Sequence, residues 1–130
     1  MTKMTKIYDT SSLLLIDEAS LFDPNFHTVI TSISLKELER IKTSANKDAN
    51  IKYAARQLLH MLDEHPEAYE CYIYRPAMNQ WLEKYDLEIN DDAKILAAAY
   101  DYANMNQTTN VVFYTNDLAL KKIASIFFGS

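Results

Sequence analysis

Short apolar segments rich in β-branched residues alternate along the chain with longer segments whose apolar residues recur at helical spacing. The short segments predict four strands, at residues 6–8, 27–34, 69–74 and 111–114. The longer segments predict helices with one apolar face. Strands that alternate with helices favour a parallel sheet covered on both sides, so we expect an α/β fold, a three-layer α/β/α sandwich, with one domain over residues 1–130.

Capping residues and helix breakers predict where the helices begin and end. Ser34 is expected to cap a helix that continues to about residue 41, before a polar loop at residues 42–49. Residues 51–64 have apolar positions at the i, i+3, i+4 spacing, and Pro66 ends that helix. Further helices are expected at residues 76–85, 94–103 and 118–124.

Two segments carry a more specific packing prediction. The helix at residues 94–103 has a stripe of alanines, which indicates close packing on the sheet. The run VVFY at residues 111–114 is continuously apolar, which is typical of a strand buried on both faces.

Composition excludes several classes of protein. Hydrophobic residues make up 48% of the 130 residues and charged residues 24%, which is enough apolar surface for a folded core. Gly129 is the only glycine, so the chain cannot form a glycine-rich phosphate loop. No apolar run approaches the ~20 residues of a membrane span, so no membrane partner is expected.

Cysteine usage bounds the redox chemistry. Cys71 is the only cysteine, which excludes an internal disulfide and a cysteine-rich zinc site. The apolar, aromatic residues around it predict a buried thiol in the core. One unpaired thiol also fits a reducing compartment, and we expect the protein to be cytoplasmic.

The charges are distributed unevenly. The net charge of −5 argues against a protein that binds nucleic acid by charge alone. Six basic and three acidic residues lie between positions 36 and 56, whereas nine acidic and two basic residues lie between positions 63 and 92. A metal-dependent nuclease could use a basic segment beside an acidic one, and an ordinary solvated surface could show the same pattern.

Four acids lie where predicted strands end or where the following helices begin: Asp9, Glu37, Asp92 and Asp117. Ligands of open parallel sheets bind outside the carboxyl ends of the strands, so these acids are expected on one rim. Helix capping explains any one of them, because acids are favoured at helix N-termini. Four carboxylates on one rim repel each other unless a cation lies among them, and all-oxygen ligands favour Mg²⁺ or Mn²⁺.

The segments around these acids resemble the PIN domain family of metal-dependent ribonucleases. The matching segments are KIYDTSSLL, ISLKELERIK, NDDAKILAAA and VVFYTND, in the family's order over nearly the whole chain. The stretch AARQLLHMLDE is also similar to the helix after the basic loop in the PIN half of PhoH-type proteins.

The resemblance implies a role for each acid. The four family acids fall on Asp9, Glu37, Asp92 and Asp117, and Asp92 is selected over Asp91 because an Ile follows three residues later. The position two residues after the fourth acid, where many members carry a further acid, is an alanine here. The family implies Mg²⁺ or Mn²⁺ as cofactor, with cleavage of RNA that leaves a 5′-phosphate and a 3′-hydroxyl.

Other side chains are expected to support this site. Ser11 and Thr115 flank two of the acids and are predicted to orient a carboxylate, with turn and cap hydrogen bonds as the alternative. Asp91 is expected to be a cap or a supporting group, and Asn116 a supporting group. The candidates for contact with RNA phosphates are Lys36, Arg40 and Lys42, for which a solvated helix face is the alternative.

The leading hypothesis is a single-domain endoribonuclease acting on single-stranded RNA. A nuclease-inactive PIN fold that serves as an interaction module is a second hypothesis. A toxin paired with an antitoxin, a PIN half that works with a separate ATPase, and a homo-oligomer are further alternatives. The end at IASIFFGS is abrupt for the family, which favours a fragment as one of these alternatives.

Overall fold

The computed structural model describes residues 3–108 and 110–128, which form one parallel sheet between helices. The strands are β1 (Met4–Tyr8), β2 (Phe26–Thr31), β3 (Glu70–Tyr72) and β4 (Val111–Tyr114). The helices are α1 (Thr10–Leu15), α2 (Glu18–Leu21), α3 (Ser32–Thr43), α4 (Ala49–Glu64), α5 (Asn79–Lys84), α6 (Asp91–Met105) and α7 (Leu118–Phe128), with short 3₁₀ turns at Pro66–Ala68 and Pro76–Met78.

The four strands are all parallel, in the order β3-β2-β1-β4. β1 is central, and Ile7 lies opposite both Val29 of β2 and Phe113 of β4. Because the strands are parallel, their carboxyl ends meet at one edge of the sheet. The ends of β1 and β4, and the helices that follow them, therefore lie side by side.

Side chains of successive residues of β1 enter two different cores. Ile7 packs with Ile95 and Ala99 of α6 on one face, whereas Tyr8 packs with Leu38 of α3 and Leu58 of α4 on the other. The alternation follows from the two-residue period of a strand. Helices thus cover both faces, and the predicted three-layer α/β/α sandwich is confirmed.

The alanines of α6 are buried as predicted, which lets the helix lie close to the sheet. Val111–Tyr114 is a strand, but the prediction that both its faces are buried is wrong. β4 lies at the edge of the sheet, and the last residue of the strand, Tyr114, is 37% exposed. A continuous apolar run indicates a strand without indicating how many neighbours cover it.

Two local predictions also need correction. The N-cap of α3 is Thr31, whose hydroxyl accepts from the Ser34 amide at 3.2 Å, so the helix begins before Ser34 and continues to Thr43. Cys71 is exposed rather than buried. It lies on β3, a three-residue strand at the other edge of the sheet, where apolar neighbours in sequence do not imply cover in space.

None of the helices that the structure describes is long and apolar enough to span a membrane.

Candidate active site

Asp9 comes directly after β1 and is the N-cap of α1. The residue is 1% exposed, and its carboxylate accepts three hydrogen bonds: Oδ1 from the Ser12 amide at 2.9 Å and the Ser11 hydroxyl at 3.2 Å, and Oδ2 from the Thr115 hydroxyl at 2.5 Å. The Asp9 amide donates to the Tyr114 carbonyl at 2.9 Å. Strand pairing and capping together fix the position of this carboxylate.

Glu37 lies in the second turn of α3 rather than the first, because the helix begins earlier than predicted. It is half-buried, and its Oε1 accepts from the Thr10 hydroxyl at 2.6 Å. Burial is the main cause that raises the pKa of Glu37 above its ordinary value of 4.5, and the negative charges of Asp91 and Asp92 raise it further. The hydrogen bond from Thr10 and the charge of Arg40 act in the opposite direction.

Asp92 is the second residue of α6, and its side chain is exposed. Its pKa is raised above 3.8, first by partial desolvation and then by the negative charges of Asp9, Asp117 and Asp91. Those charges lie on three different elements of the sheet edge. Desolvation is therefore the main cause of the raised pKa of Asp92, and the nearby acids of this edge add to it.

Asp117 lies between β4 and α7 and is exposed. Its Oδ1 accepts from the Leu120 amide at 3.2 Å, so it acts as a helix cap. Its own amide donates to the Thr115 hydroxyl oxygen at 3.0 Å. Thr115 thus connects Asp117 with Asp9.

The predicted supporting residues differ in what they contact. The hydroxyls of Ser11 and Thr115 both donate to Asp9. Asn116 is exposed and makes no side-chain hydrogen bond to an acid within the described ranges. The interpretation of Asp91 as a cap is wrong, because Asn90 caps α6 by accepting from the Ala93 amide at 2.9 Å. Asp91 instead pairs with Arg40 at 3.0 Å.

The three predicted phosphate contacts are placed differently around α3. Lys36 is exposed and has no acidic partner among the residues described, and it lines a cavity of about 580 Å³ with Arg40 and Lys94. Lys42 pairs with Glu39 at 2.8 Å and lines another cavity, beside α4. Glu37 lines a smaller cavity of about 250 Å³ with Lys47.

Sequence reasoning missed three side chains at this site. Thr10 holds Glu37, and Lys94 and Lys47 line the cavities beside it. Nothing in the local pattern indicates which hydroxyl after Asp9 turns towards α3, because that depends on how α1 packs. Lys47 lies in the polar loop predicted at residues 42–49, where residue spacing does not predict the direction of a side chain.

The donor atoms of the four acids suit a hard divalent cation, because all of them are carboxylate oxygens. Within residues 3–108 and 110–128, the structure contains no group of three His, Cys, Asp or Glu side chains close enough together to hold one ion. Asp92 and Asp117 are exposed at this edge, whereas Asp9 is buried. The carboxylate oxygens therefore suit a divalent cation, and the acidic side chains would have to move closer together to bind one.

Comparison with known families gives one match. The sequence model of the PIN domain family matches residues 6–127, which include all four acids. The match is to the PIN domain as such, and the narrower resemblance to PhoH-type proteins stays a prediction. No curated protein and no solved structure matches the chain. With a family match over almost its entire length and the parallel three-layer fold, the chain belongs to the PIN domain family, whose members are generally nucleases that use divalent metal ions.

Proposed function

We propose that this PIN domain is a metal-dependent endoribonuclease that hydrolyses phosphodiester bonds of single-stranded RNA. Asp9, Asp92 and Asp117 would hold Mg²⁺ or Mn²⁺, with Glu37 as a further ligand or as the base for the attacking water. The products would carry a 5′-phosphate and a 3′-hydroxyl. The RNA substrate, the identity of the metal and the site residues are the parts of this proposal that go beyond what the family match shows.

The observation that carries the proposal is the position of three acids at the edge of the sheet where the neighbouring strands β1 and β4 end. Asp9 is buried, and the charges of Asp9 and Asp117 both raise the pKa of Asp92. None of these three acids forms an ion pair within the described part of the chain. Three unpaired carboxylates at one sheet edge cost stability, and a divalent cation between them would offset that cost.

Asp9 is held in place for metal binding. The hydrogen bonds from Ser11, Ser12 and Thr115 hold Asp9 in place. Each carboxylate oxygen has two lone pairs, so Oδ2 keeps one for a cation after accepting from Thr115. The bound ion would supply positive charge against the phosphate oxygens. Asp9 would therefore keep its geometry when the ion binds.

Glu37 has the properties of a proton acceptor. Thr10 engages Oε1, which leaves Oε2 open to a water molecule. A base acts best when its pKa approaches the working pH, and burial has moved the pKa of Glu37 in that direction. Glu37 would take the proton from water as the oxygen attacks phosphorus, and the 3′-oxygen would leave.

The test is cleavage of an end-labelled single-stranded RNA with Mn²⁺, and with a chelator in place of the metal. The decisive variant is Asp9→Asn, which keeps an acceptor for the Ser12 amide and removes the charge. Asp17→Asn is the matched control, because Asp17 caps α2 by the same kind of bond, from the Ser20 amide at 2.7 Å, and is not one of the four acids. We expect cleavage by the wild type and the control, and none by Asp9→Asn.

A thermal melt separates loss of the metal site from loss of the fold. Mn²⁺ is expected to raise the melting temperature of the wild type and of Asp17→Asn, since a ligand of the folded state stabilises it. It should not raise that of Asp9→Asn. A folded Asp9→Asn protein with full activity would refute the assignment, and a wild type that cuts no RNA with any divalent metal would refute the function.

A further inference from the structure

Lys6 is a buried lysine outside the acidic cluster. It lies on β1, and its side chain turns to the same face of the sheet as Tyr8; the residue is 7% exposed. The ammonium donates to the Ser20 carbonyl at 3.4 Å and lies 4.0 Å from the centre of the Phe26 ring. No carboxylate of the described residues pairs with it.

A buried ammonium without an acidic partner is costly, because it loses its hydration. The Phe26 ring offsets part of that cost by a cation–π interaction, and the Tyr114 ring, with its centre at 5.9 Å, adds a weaker one. An ammonium has three donors, and the Ser20 carbonyl takes one of them in a long bond. Lys6 therefore has unused donors for an acceptor that enters from outside.

A cavity of about 440 Å³ gives such an acceptor access to Lys6. Its lining includes Tyr8, Leu15, Tyr114, Thr115 and Asn116 as well as Lys6. Pockets for small organic ligands have about 300–1,000 Å³. Thr115 also donates to Asp9, so the cavity adjoins the candidate active site.

The cavity contains an open aromatic surface. The rings of Tyr8 and Tyr114 are stacked, with centres 4.7 Å apart and planes inclined by 17°. Tyr114 remains 37% exposed because β4 is an edge strand. Aromatic side chains beside a basic group form the usual platform for unpaired nucleobases.

We propose that this cavity binds one nucleotide of the RNA strand, whose base stacks on Tyr114 and which gives an acceptor oxygen to Lys6. This inference rests on the proposed function, because it makes the cavity a subsite of that active site. The shared residue Thr115 places the bound nucleotide next to the cleaved bond. The subsite would favour a flexible single strand, since a paired base cannot leave its stack without cost.

The test measures binding of short single-stranded RNAs to the whole chain in the presence of a chelator, so that no cleavage occurs. One base at a time is replaced by an abasic ribose. We expect one position at which loss of the base weakens binding by about 5-fold to 150-fold, the range for one base–aromatic stack. Tyr114→Leu should bind the intact RNA and the abasic RNAs with equal affinity. Tyr114→Phe should keep the wild-type dependence on the abasic position.

Lys6→Met keeps the length of the side chain and removes its charge. We expect it to weaken binding of the intact RNA about 5-fold or more, in line with one lost charge-assisted contact. The matched controls are Lys84→Met and Tyr85→Leu on the other side of the molecule, where the Lys84 ammonium lies 5.4 Å from the centre of the Tyr85 ring. Neither control should change binding.

Binding and cleavage separate this inference from the proposed function. If the RNA is cut with Mn²⁺ but a folded Tyr114→Leu keeps the wild-type dependence on the abasic position, the subsite is refuted and the nuclease stands. If no RNA is cut but Tyr114→Leu abolishes that dependence, the subsite stands and the nuclease is refuted. A Lys6→Met variant with a lower melting temperature and unchanged binding would make Lys6 a packing residue and overturn its role.

Discussion

The hydroxyl of Thr115 donates to Oδ2 of Asp9, and its oxygen accepts from the amide of Asp117. Thr115, directly after β4, therefore holds the side chain of the buried Asp9 and the backbone of the exposed Asp117. The two partners of the first bond are 106 residues apart in sequence. Hydrogen bonds of this kind, made to a carboxylate that binds a metal ion, fix the orientation of that carboxylate.

Thr115→Val tests this relationship, because valine keeps the shape and loses both hydrogen-bonding functions. We expect kcat/KM for RNA to fall about 10- to 100-fold, the usual effect of losing a group that orients a ligand. Thr115→Ser keeps the hydroxyl and should stay within a few-fold of the wild type. Equal losses in both variants would assign the effect to packing rather than to the hydrogen bond.

Alanine variants of Asp91 and Asp92 should differ in cleavage activity. Asp92→Ala is expected to abolish cleavage, because it removes a proposed ligand. Asp91→Ala should keep cleavage and cost about 0–1 kcal/mol, since it loses only the exposed ion pair with Arg40. Activity assays with urea unfolding check both, and an inactive Asp91→Ala beside an active Asp92→Ala would reverse their roles.

Asn90, the N-cap of α6, provides a reference for the stability cost of Asp91→Ala. Asn90→Ala removes the acceptor for the Ala93 amide and should cost about 1 kcal/mol of stability. Its cost should exceed that of Asp91→Ala.

Stability should depend on pH through Glu37 and Asp92. A carboxyl whose pKa is higher in the folded state binds its proton more tightly there, so the protein loses stability as the pH rises from the ordinary value through the raised one. The ordinary values are 4.5 for Glu37 and 3.8 for Asp92. Glu37→Gln and Asp92→Asn should therefore raise the metal-free melting temperature at neutral pH.

That gain should vanish in acid, below the ordinary values, where the wild-type carboxyls are also neutral. Glu37→Gln keeps an acceptor for Thr10, so the comparison isolates the charge. Glu39→Gln, which loses an exposed pair with Lys42, should give no gain. Melting curves from about pH 3 to pH 8 check the sign; a gain that persists in acid would contradict the assignment to the charged carboxylates.

Lys36 and Lys42 should differ in their effect on RNA binding. Lys36 has no acidic partner in the described part of α3 and its surroundings, whereas Lys42 is neutralised by Glu39 at 2.8 Å. Lys36→Met should lower the slope of log binding constant against log salt by about 0.7, the value for one phosphate contact on a single strand. Lys42→Met should change it less, and binding in a chelator across a salt series compares the two.

The sequence predicted the position of the acids better than their surroundings. Asp9, Asp92 and Asp117 follow strand ends or begin helices, and these boundaries depend on local hydrophobic patterns. The pairing of Asp91 with Arg40, across 51 residues, depends on how α6 packs against α3. The exposure of Cys71 and Tyr114 depends on which strands lie at the edges of the sheet. Strand order is a property of the whole chain, and no local window encodes it.

The place of β1 between β2 and β4 also determines when the site can form during folding. β1 pairs early in the sequence with β2, but its other partner begins at Val111. Pairing β1 with β4 closes a longer loop than pairing β1 with β2 and therefore costs more chain entropy. A chain still emerging from the ribosome would hold Asp9 without Thr115 and Asp117. The carboxylate set is therefore completed only when the last strand docks, and a growing chain carries an incomplete site.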